Sequence, residues 1–313
     1  KCHFCAAGIC IGGRTKSAPI LVMAITNNSA NFQHGTPLRF GVLLLNLGTP
    51  DAPTPSAVRK YLAEFLSDSR VVEIPPLAWK LILHGIILRT RPAKSAKKYA
   101  GVWTKDGSPL MVWSTKQAQL LQGALGEAMR LRGLDPKPMK VALGMRYGNP
   151  SIPKAIDELM AQGCDKILVM PLYPQYAAST SGSAYDGVFR HVMTLRNAPA
   201  IRTIRGYHDD PRYISALVKR VEEYWKLHGR PDTLVLSFHG VPKFSLDKGD
   251  PYHCLCLKTA RLLKEGLHVA PQVVTTFQSR FGKAEWLKPY TSEVLTDLGK
   301  RGTNRVDVFC PGF

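Results

Sequence analysis

The sequence predicts a doubly wound α/β protein, with parallel strands covered by helices on both faces. Short apolar runs alternate with longer segments of helical periodicity from residue 39 onward. The apolar runs are continuous rather than alternating, which is typical of parallel strands buried on both faces. The helical segments carry start and stop signals at their ends. These observations together favour an α/β fold over an all-helical or an all-β one.

Seven short apolar runs are the strand candidates. In chain order they are FGVLLLN, MKVALGM, KILVMPL, AIRTIR, TLVLSFH, QVVTTF and RVDVFC.

Two intervening segments show the helical pattern clearly. Residues 56–67 place apolar side chains on one face behind Ser56, a predicted N-cap. Residues 151–162 have Pro153 near the start and Gly163 at the stop, directly before the next strand. Right-handed crossovers then bring the loops at the carboxyl ends of the strands to one edge, where ligands bind in such folds.

We expect two similar halves, an N-terminal domain of residues 39–160 and a C-terminal domain of residues 161–313. Residues 1–38 lack sustained periodicity, and we interpret them as a disordered or non-native leader. This leader contains a cluster that a zinc knuckle could use, but no second ligand pair follows it. The cluster consists of Cys2, His3, Cys5 and Cys10.

Composition restricts the classes of function. The formal charge is +19, from 42 basic and 23 acidic residues, which attracts nucleic acid, anionic membranes or acidic small molecules alike. The chain lacks both a GxxxxGK[ST] phosphate loop and a GxGxxG turn after a strand, so nucleotide binding has no motif support. No apolar run is long enough to span a membrane. Seven cysteines without a secretory signal predict reduced thiols in a cytoplasmic protein.

His239 is the sharpest candidate for chemistry. It ends the apolar run TLVLSFH, and Gly240 then permits a tight turn, so the imidazole is delivered to the ligand-binding edge. A neutral imidazole can accept a proton near neutral pH or coordinate a divalent ion. The residue type alone leaves both roles open, and a structural histidine remains the alternative.

Two other segments could line a site. The loop PLYPQYAASTSGS, residues 171–183, offers Tyr173 and hydroxyl donors for a flat ligand, although an ordinary loop would look similar. A basic stretch follows the apolar segment LAWKLILHGIIL and could meet carboxylates or anionic lipid, or be a solvated helix face. The basic residues are Arg89, Arg91, Lys94, Lys97 and Lys98.

Several longer motifs together resemble ferrochelatases of the bacterial type, in order from about residue 39 to residue 313. The motifs are LLLNLGTPD, RPAK…KY, GSPL, MRYGNP, YPQYAASTSGS, SFHG, GDPY and TFQSRFG…WLKPYT. The resemblance implies two four-stranded Rossmann-like domains of the chelatase type with a porphyrin cleft between them. It also implies insertion of Fe²⁺ into protoporphyrin IX, with Fe²⁺ as a substrate and no organic cofactor.

The resemblance also implies roles for individual residues. His239 corresponds to the family's catalytic histidine, a metal ligand or the acceptor of pyrrole protons. The segment of residues 77–98 matches the active-site lip, whose basic residues could meet propionates or a membrane surface. Six residues correspond to those that bind the substrate in the cleft: Tyr99, Arg146, Tyr147, Tyr173, Ser179 and Trp286.

Three further points qualify what the resemblance implies. The sequence stops at FCPGF, and the family's acidic segment with its catalytic glutamate, a second metal ligand, would follow, so turnover by these 313 residues stays open. Glu285 does not align with that glutamate, and we expect it on an exposed loop. No [2Fe-2S] cluster is expected, because Ala178 stands where animal-type relatives have a ligand and the CxC pair of Cys254 and Cys256 does not replace four cysteines.

Rival functions are a cobalt or nickel chelatase of the same fold, a porphyrin or haem carrier without turnover, and nucleic-acid binding. The apolar lip favours protoporphyrin over coproporphyrin but does not decide between them. We expect a cytoplasmic protein, with peripheral contact to an anionic membrane as an alternative use of the basic lip, and no nucleic-acid partner.

Overall fold

A computed structural model describes residues 35, 38–267, 271–282 and 284–312. The zinc-knuckle interpretation of Cys2, His3, Cys5 and Cys10, and nearly all of the predicted leader, lie outside the described residues.

All seven predicted strands are confirmed, and every pairing between them is parallel. β1, β2, β3 and β4 form one sheet in the order β2-β1-β3-β4, and β5, β6 and β7 form a second in the order β6-β5-β7. The strands are β1 Arg39–Asn46, β2 Met139–Met145, β3 Cys164–Pro171, β4 Ala200–Thr203, β5 Thr233–His239, β6 Gln272–Gln278 and β7 Val306–Phe309.

Ten α-helices connect the strands in the described part of the chain. They are α1 Pro55–Leu66, α2 Pro76–Ile82, α3 Leu88–Val102, α4 Pro109–Arg130, α5 Ile152–Ala161, α6 Ser183–Val192, α7 Pro211–His228, α8 Lys243–Asp247, α9 Tyr252–Gly266 and α10 Thr291–Lys300. Two π-helical turns, Leu83–Ile87 and Ala178–Gly182, lead into α3 and α6.

Each sheet has its own apolar core, as continuous apolar strands require. Leu43 and Leu45 of β1 pack with Ile156 of α5 and Val188 of α6. In the second sheet, the buried side chains of β5 pack with those of α7 and α9, among them Trp225. Burial of both faces explains why the sequence pattern of these strands lacks alternation.

The predicted boundary at residues 160 and 161 lies too early in the chain. β3 pairs with β1, from Phe40↔Lys166 to Leu45↔Pro171, and β4 pairs with β3. A division before β3 would remove two strands from the first sheet, so the two sheets divide between β4 and α7. The second sheet contains three strands among the described residues, where the resemblance implied four.

The helix starts follow capping chemistry. α5 begins as predicted behind Ser151, whose hydroxyl accepts a hydrogen bond from the backbone N–H of Lys154. The predicted cap of α1 is wrong by two residues, because Thr54 rather than Ser56 occupies the cap position. Its hydroxyl accepts from the backbone N–H of Ala57, and Pro55 then takes the first helical position, where its missing N–H costs nothing.

Candidate functional site

A cleft of about 400 Å³ lies at the carboxyl ends of the strands, on the edge where the fold predicts a ligand. Its walls come from both sheets. Leu47 follows β1, Ser179 follows β3, His239 ends β5, and Trp286 follows β6. Phe65, at the end of α1, completes the side formed by the first sheet. Three predicted site residues, His239, Ser179 and Trp286, thus line one cleft.

His239 is held in a defined tautomer by its neighbour. Its Nδ1 lies 2.7 Å from the carbonyl oxygen of Gly240. A carbonyl only accepts hydrogen bonds, so Nδ1 carries the proton, and in the neutral ring the lone pair is on Nε2. Burial lowers the pKa of His239 below its ordinary value, and the Gly240 carbonyl opposes this only in part. The site therefore favours an unprotonated imidazole near neutral pH.

Gly240 is required at this position by close packing. Its backbone N–H donates to the carbonyl of Gln278, 2.8 Å away, at the end of the neighbouring strand. A Cβ at residue 240 would lie 2.9 Å from that carbonyl oxygen and 3.2 Å from the Trp286 ring. The φ angle of Gly240 is not in the left-handed region. Glycine is therefore needed here for close packing and not, as the sequence suggested, for a tight turn.

Trp286 forms an apolar wall beside the imidazole. Its ring centroid lies 6.5 Å from that of His239 and 5.0 Å from that of Phe281. The side chain is 5% exposed, and its indole N–H has no hydrogen-bond partner among the described residues. A flat apolar ligand in the cleft would meet this ring next to the imidazole nitrogen.

The opposite wall carries Ser179 on the π-helical turn Ala178–Gly182. The backbone N–H of Ala178, at the start of that turn, donates to Oδ2 of Asp250, at 2.7 Å. Asp250 also lines the cleft and lies in the segment that follows β5. One carboxylate therefore joins the wall behind Ser179 to the segment that follows His239.

Charged side chains at the cleft were missed by the sequence reasoning. Arg70, Glu73, Arg205 and Lys248 all line it. Arg70 forms an ion pair with Asp186, and Lys248 forms one with Glu73. The only signals in the sequence were the position of residues 68–73 at a helix end and the GDPY motif directly after Lys248.

Arg146 and Tyr147, two of the predicted substrate-binding residues, are not among the residues that line this cleft. The Arg146 guanidinium lies 2.5 Å from Asp68, and the Tyr147 hydroxyl donates to the same carboxylate, at 2.9 Å. Ser183 also donates to Asp68. Burial alone would raise the pKa of Asp68, but these hydrogen bonds outweigh it and lower the pKa, so the carboxylate stays charged.

Tyr99 and Tyr173 also lie outside the cleft surface. Tyr173 is 2% exposed, and burial raises its pKa well above the ordinary value. Tyr99 packs edge-on against Tyr61, with ring centroids 6.4 Å apart. Tyr147 is fully buried and packs edge-on against Phe65, which does line the cleft. These side chains form an aromatic cluster behind one wall.

The predicted lip, residues 77–98, forms α2, the first π-helical turn and most of α3. It contributes no residue to the lining of the cleft. Leu77, Leu81 and Ile86 are 84%, 77% and 59% exposed. The basic residues Arg89 to Lys98 are also exposed.

Glu285 lies on an exposed segment, as predicted. It forms ion pairs with Lys243 and Lys288, and the hydrogen bond from Lys288 lowers its pKa. The two cysteines of the CxC pair differ in environment along α9. Cys254 is exposed, whereas Cys256 is buried and burial raises its pKa to about 12.

Two kinds of feature are absent from the described residues. None of the helices there combines the length and apolar character that a membrane span requires. Within the same residues, no three histidine, cysteine, aspartate or glutamate side chains converge into a metal-ligand set.

The fold and the cleft define a class of protein. Two parallel sheets flanked by helices enclose an apolar cleft at the carboxyl ends of their strands, and the cleft contains a desolvated imidazole beside a tryptophan. This is the arrangement of an α/β protein whose cleft suits a small, largely apolar ligand.

The sequence comparisons give the family. The sequence model of the ferrochelatase family matches residues 39–313. A ferrochelatase of Chromobacterium violaceum is 59% identical over 283 residues, which cover 90% of this chain and 76% of that protein. A ferrochelatase of Methylibium petroleiphilum is 56% identical over 282 residues, with the same coverage.

Among solved structures, SirB from Bacillus subtilis with Fe³⁺ aligns with 83% of this chain and 71% of its own. The TM-score is 0.42 and the identity 15%.

The chain belongs to the ferrochelatase family. It is an enzyme of haem synthesis, and its reaction is the insertion of iron into a porphyrin.

Proposed function

We propose that the substrates are protoporphyrin IX and Fe²⁺, and that His239 acts on the pyrrole nitrogens in the cleft. The observation that carries this proposal is the desolvated His239 imidazole, with its Nε2 lone pair, in an apolar cleft beside Trp286. A macrocycle lined up against Trp286 would present its centre to that nitrogen.

Metal insertion needs three changes. The ring must bend so that nitrogen lone pairs point out of its plane, two pyrrole protons must leave, and Fe²⁺ must lose water. The products are neutral haem and two protons, so charge is conserved. We propose that Nε2 accepts the pyrrole protons one at a time and passes each to solvent; service as a transient Fe²⁺ ligand is the alternative, and both need the unprotonated imidazole.

Binding energy from the edge of the macrocycle can offset the cost of bending it. Trp286 and Phe281 provide an aromatic surface against one face, and Ser179 provides a polar group on the opposite wall. Contacts that fit a bent ring better than a flat one stabilise the transition state more than the bound substrate, and so raise the rate.

We propose that Arg146, Tyr147, Tyr99 and Tyr173 act on the substrate from behind the wall formed by Phe65. Tyr147 contacts Phe65 directly. Arg146 forms an ion pair with Asp68, the residue at which the segment containing Arg70 and Glu73 begins. Their effect on the porphyrin would then come through the position of that wall.

Fe²⁺ is a substrate in this proposal, and the protein needs no resident cofactor. We propose that it holds no [2Fe-2S] cluster. Ala178 offers only backbone groups at the cleft, and Cys254 and Cys256 occupy different environments on α9.

We also propose peripheral contact with an anionic membrane through the lip, in a cytoplasmic protein. Exposed apolar side chains on α2 and the adjoining π-helical turn lie next to the exposed basic residues of α3. Such a combination suits the boundary between lipid headgroups and acyl chains. Cosedimentation with vesicles containing phosphatidylserine tests it. Leu77→Ser with Leu81→Ser should weaken binding, and equal binding by the variant would contradict the proposal.

The main proposal is tested by measuring anaerobic insertion of Fe(II) into the porphyrin. The readout is the loss of porphyrin fluorescence. The assay compares protoporphyrin IX with coproporphyrin, on this chain and on a chain carrying the further residues that its relatives have. Faster metallation of protoporphyrin IX supports the proposed substrate. Tight porphyrin binding without metal uptake by either chain would contradict it.

A further inference from the structure

The segment of residues 243–252 contacts both walls of the cleft. It comes shortly after His239 in the sequence and contains α8 and the GDPY motif. Its Phe244, Lys248, Asp250 and Tyr252 all line the cleft. The backbone N–H of Lys243 donates to the carbonyl of Glu285, at 2.8 Å, so the start of the segment is anchored to the unit that contains the second sheet.

The first link from this segment to the other unit is an ion pair. Nζ of Lys248 lies 2.5 Å from Oε2 of Glu73, a residue 175 positions earlier in the chain. Lys248 is further oriented by the Phe244 ring, whose centroid is 4.9 Å from Nζ. The pair lies at the solvent edge of the cleft, since the two side chains are 61% and 38% exposed.

Glu73 is itself attached to the unit that contains the first sheet. The backbone N–H groups of Val71 and Val72 donate to the carbonyl of Asp68, and the side chain of Asp68 is held by Arg146. Arg70 is tied to Asp186 of α6. The two partners of the ion pair are therefore anchored to different sheets.

The second link is the hydrogen bond from the Ala178 backbone N–H to Asp250, at 2.7 Å. The other carboxylate oxygen of Asp250 accepts from the backbone N–H of Tyr252, at 2.9 Å. Asp250 thus connects the turn that carries Ser179 with the start of α9. The two links thus connect one short segment to two different parts of the first unit, at Glu73 and at Ala178.

We propose that Lys248 and Asp250 are positioning residues that join the two walls of the cleft and set its width around the porphyrin. The inference rests on the proposed function, since it takes the cleft as the porphyrin site. The clasp, defined as the Glu73–Lys248 ion pair with the Asp250–Ala178 hydrogen bond, holds the wall of Ser179 at a fixed distance from His239. Porphyrin release then requires the clasp to open.

The expected effect is moderate because the ion pair is partly exposed. An exposed pair contributes roughly 0.2–1 kcal/mol, so its loss should speed porphyrin dissociation about 1.4- to fivefold. The contribution of the Glu73–Lys248 ion pair to porphyrin retention should nearly vanish at about 1 M salt, where the screening length is near 3 Å.

The test is a charge swap on this chain. Dissociation of protoporphyrin IX is measured by stopped-flow fluorescence for Lys248→Glu, for Glu73→Lys and for the double variant. Each single variant should release porphyrin faster, and the double variant should return to the original rate, because the pair is restored with its signs exchanged. A merely structural role for either side chain would not be rescued in this way.

Matched controls separate the clasp from general changes in charge. Lys264→Glu makes the same charge change on an exposed position of α9, and it should leave the rate unchanged. Asp250→Ala, which removes the acceptor oxygen, is compared with Asp247→Ala on an exposed residue three positions away. Only Asp250→Ala should accelerate hydrogen exchange at the Ala178 amide.

The outcomes distinguish this inference from the proposed function. If the unaltered chain fails to bind porphyrin, the proposed function fails, while faster exchange in residues 243–252 of Lys248→Glu would still support the clasp. If porphyrin binds but the single variants match the Lys264→Glu control, or the swap does not restore the rate, the clasp is overturned.

Discussion

The carboxyl ends of the two sheets differ in the surroundings of their polar side chains. At the end of β2, Arg146 and Tyr147 are engaged by Asp68 and Ser183 in a buried polar network. At the end of β5, His239 faces an apolar cleft and has its Nδ1 satisfied by Gly240. Both strand ends carry distinctive polar motifs, but of the three residues only His239 lines the cleft.

The same difference appears in how burial acts on charge. Asp68 is surrounded by donors that lower its pKa despite its burial, so it stays a carboxylate. For His239 the Gly240 carbonyl offsets burial only in part, so desolvation lowers its pKa and the ring stays neutral. The network at Asp68 is therefore held in its charged form, whereas the imidazole of His239 is held in its neutral form.

The largest effect is expected at His239. His239→Ala should reduce iron insertion at least about 100-fold, the lower range for loss of a general base, because alanine has no nitrogen to accept the pyrrole protons. Porphyrin affinity should change only a few fold, since Trp286 and the opposite wall remain. Metallation rates under anaerobic conditions and fluorescence titration measure the two quantities on the chain carrying the relatives' further residues.

His228→Ala is the control for that experiment. His228 is exposed at the end of α7 and does not line the cleft, so its loss should leave both rate and affinity unchanged. If His239→Ala inserted iron as fast as the unaltered chain, the end of β5 would not be the site of the chemistry, and the contrast with the end of β2 would fail.

A smaller effect, on stability rather than on rate, is expected at Asp68. Asp68→Ala leaves the Arg146 guanidinium, whose side chain is 12% exposed, without its carboxylate. Breaking a buried pair from one side should lower the free energy of unfolding by about 3 kcal/mol. Urea denaturation measures the change.

Asp186→Ala is the matched comparison. Its pair with Arg70 is more exposed, at 34% and 38%, so the loss should be about 1 kcal/mol or less. Equal losses for the two variants would mean that burial does not distinguish the network from a surface pair.

The smallest effect concerns pH. Because the pKa of His239 is lowered, the imidazole should stay neutral, and insertion active, below the ordinary histidine pKa of about 6.5. Activity should then fall as the pH drops through the lowered value. Trp286→Ala admits water beside the ring, so the acid limb of the rate profile should move to higher pH. An acid limb unaffected by Trp286→Ala would contradict desolvation as the cause.

The sequence predicted elements better than their boundaries or contacts. The central strands β1 and β5 were found because a buried parallel strand needs a continuous apolar run. The cap of α1 was misplaced because Thr54 and Ser56 are both good caps, and Pro55 between them decides. The boundary at residue 160 missed the return of β3 to pair with β1, a long-range contact that local periodicity does not record.

Site residues divided in the same way. His239 could be predicted because a strand end followed by glycine is a local signal. Arg70, Glu73 and Lys248 could not, because each lies on a segment whose sequence reads as an ordinary solvated helix end or loop. Tyr147 and Tyr173 carried family motifs, but motif identity does not distinguish a side chain in the cleft from one behind its wall.

The sequence by itself determined the strands, the parallel α/β class, the family and the identity of the imidazole, since each depends on local patterning or on ordered motifs. Tertiary structure alone decided which motif residues face the cleft and which saturate one another, and it brought Glu73 to Lys248 across 175 residues. The physical reason is that burial and ion pairing depend on distances between segments, and these are set only when both sheets have packed.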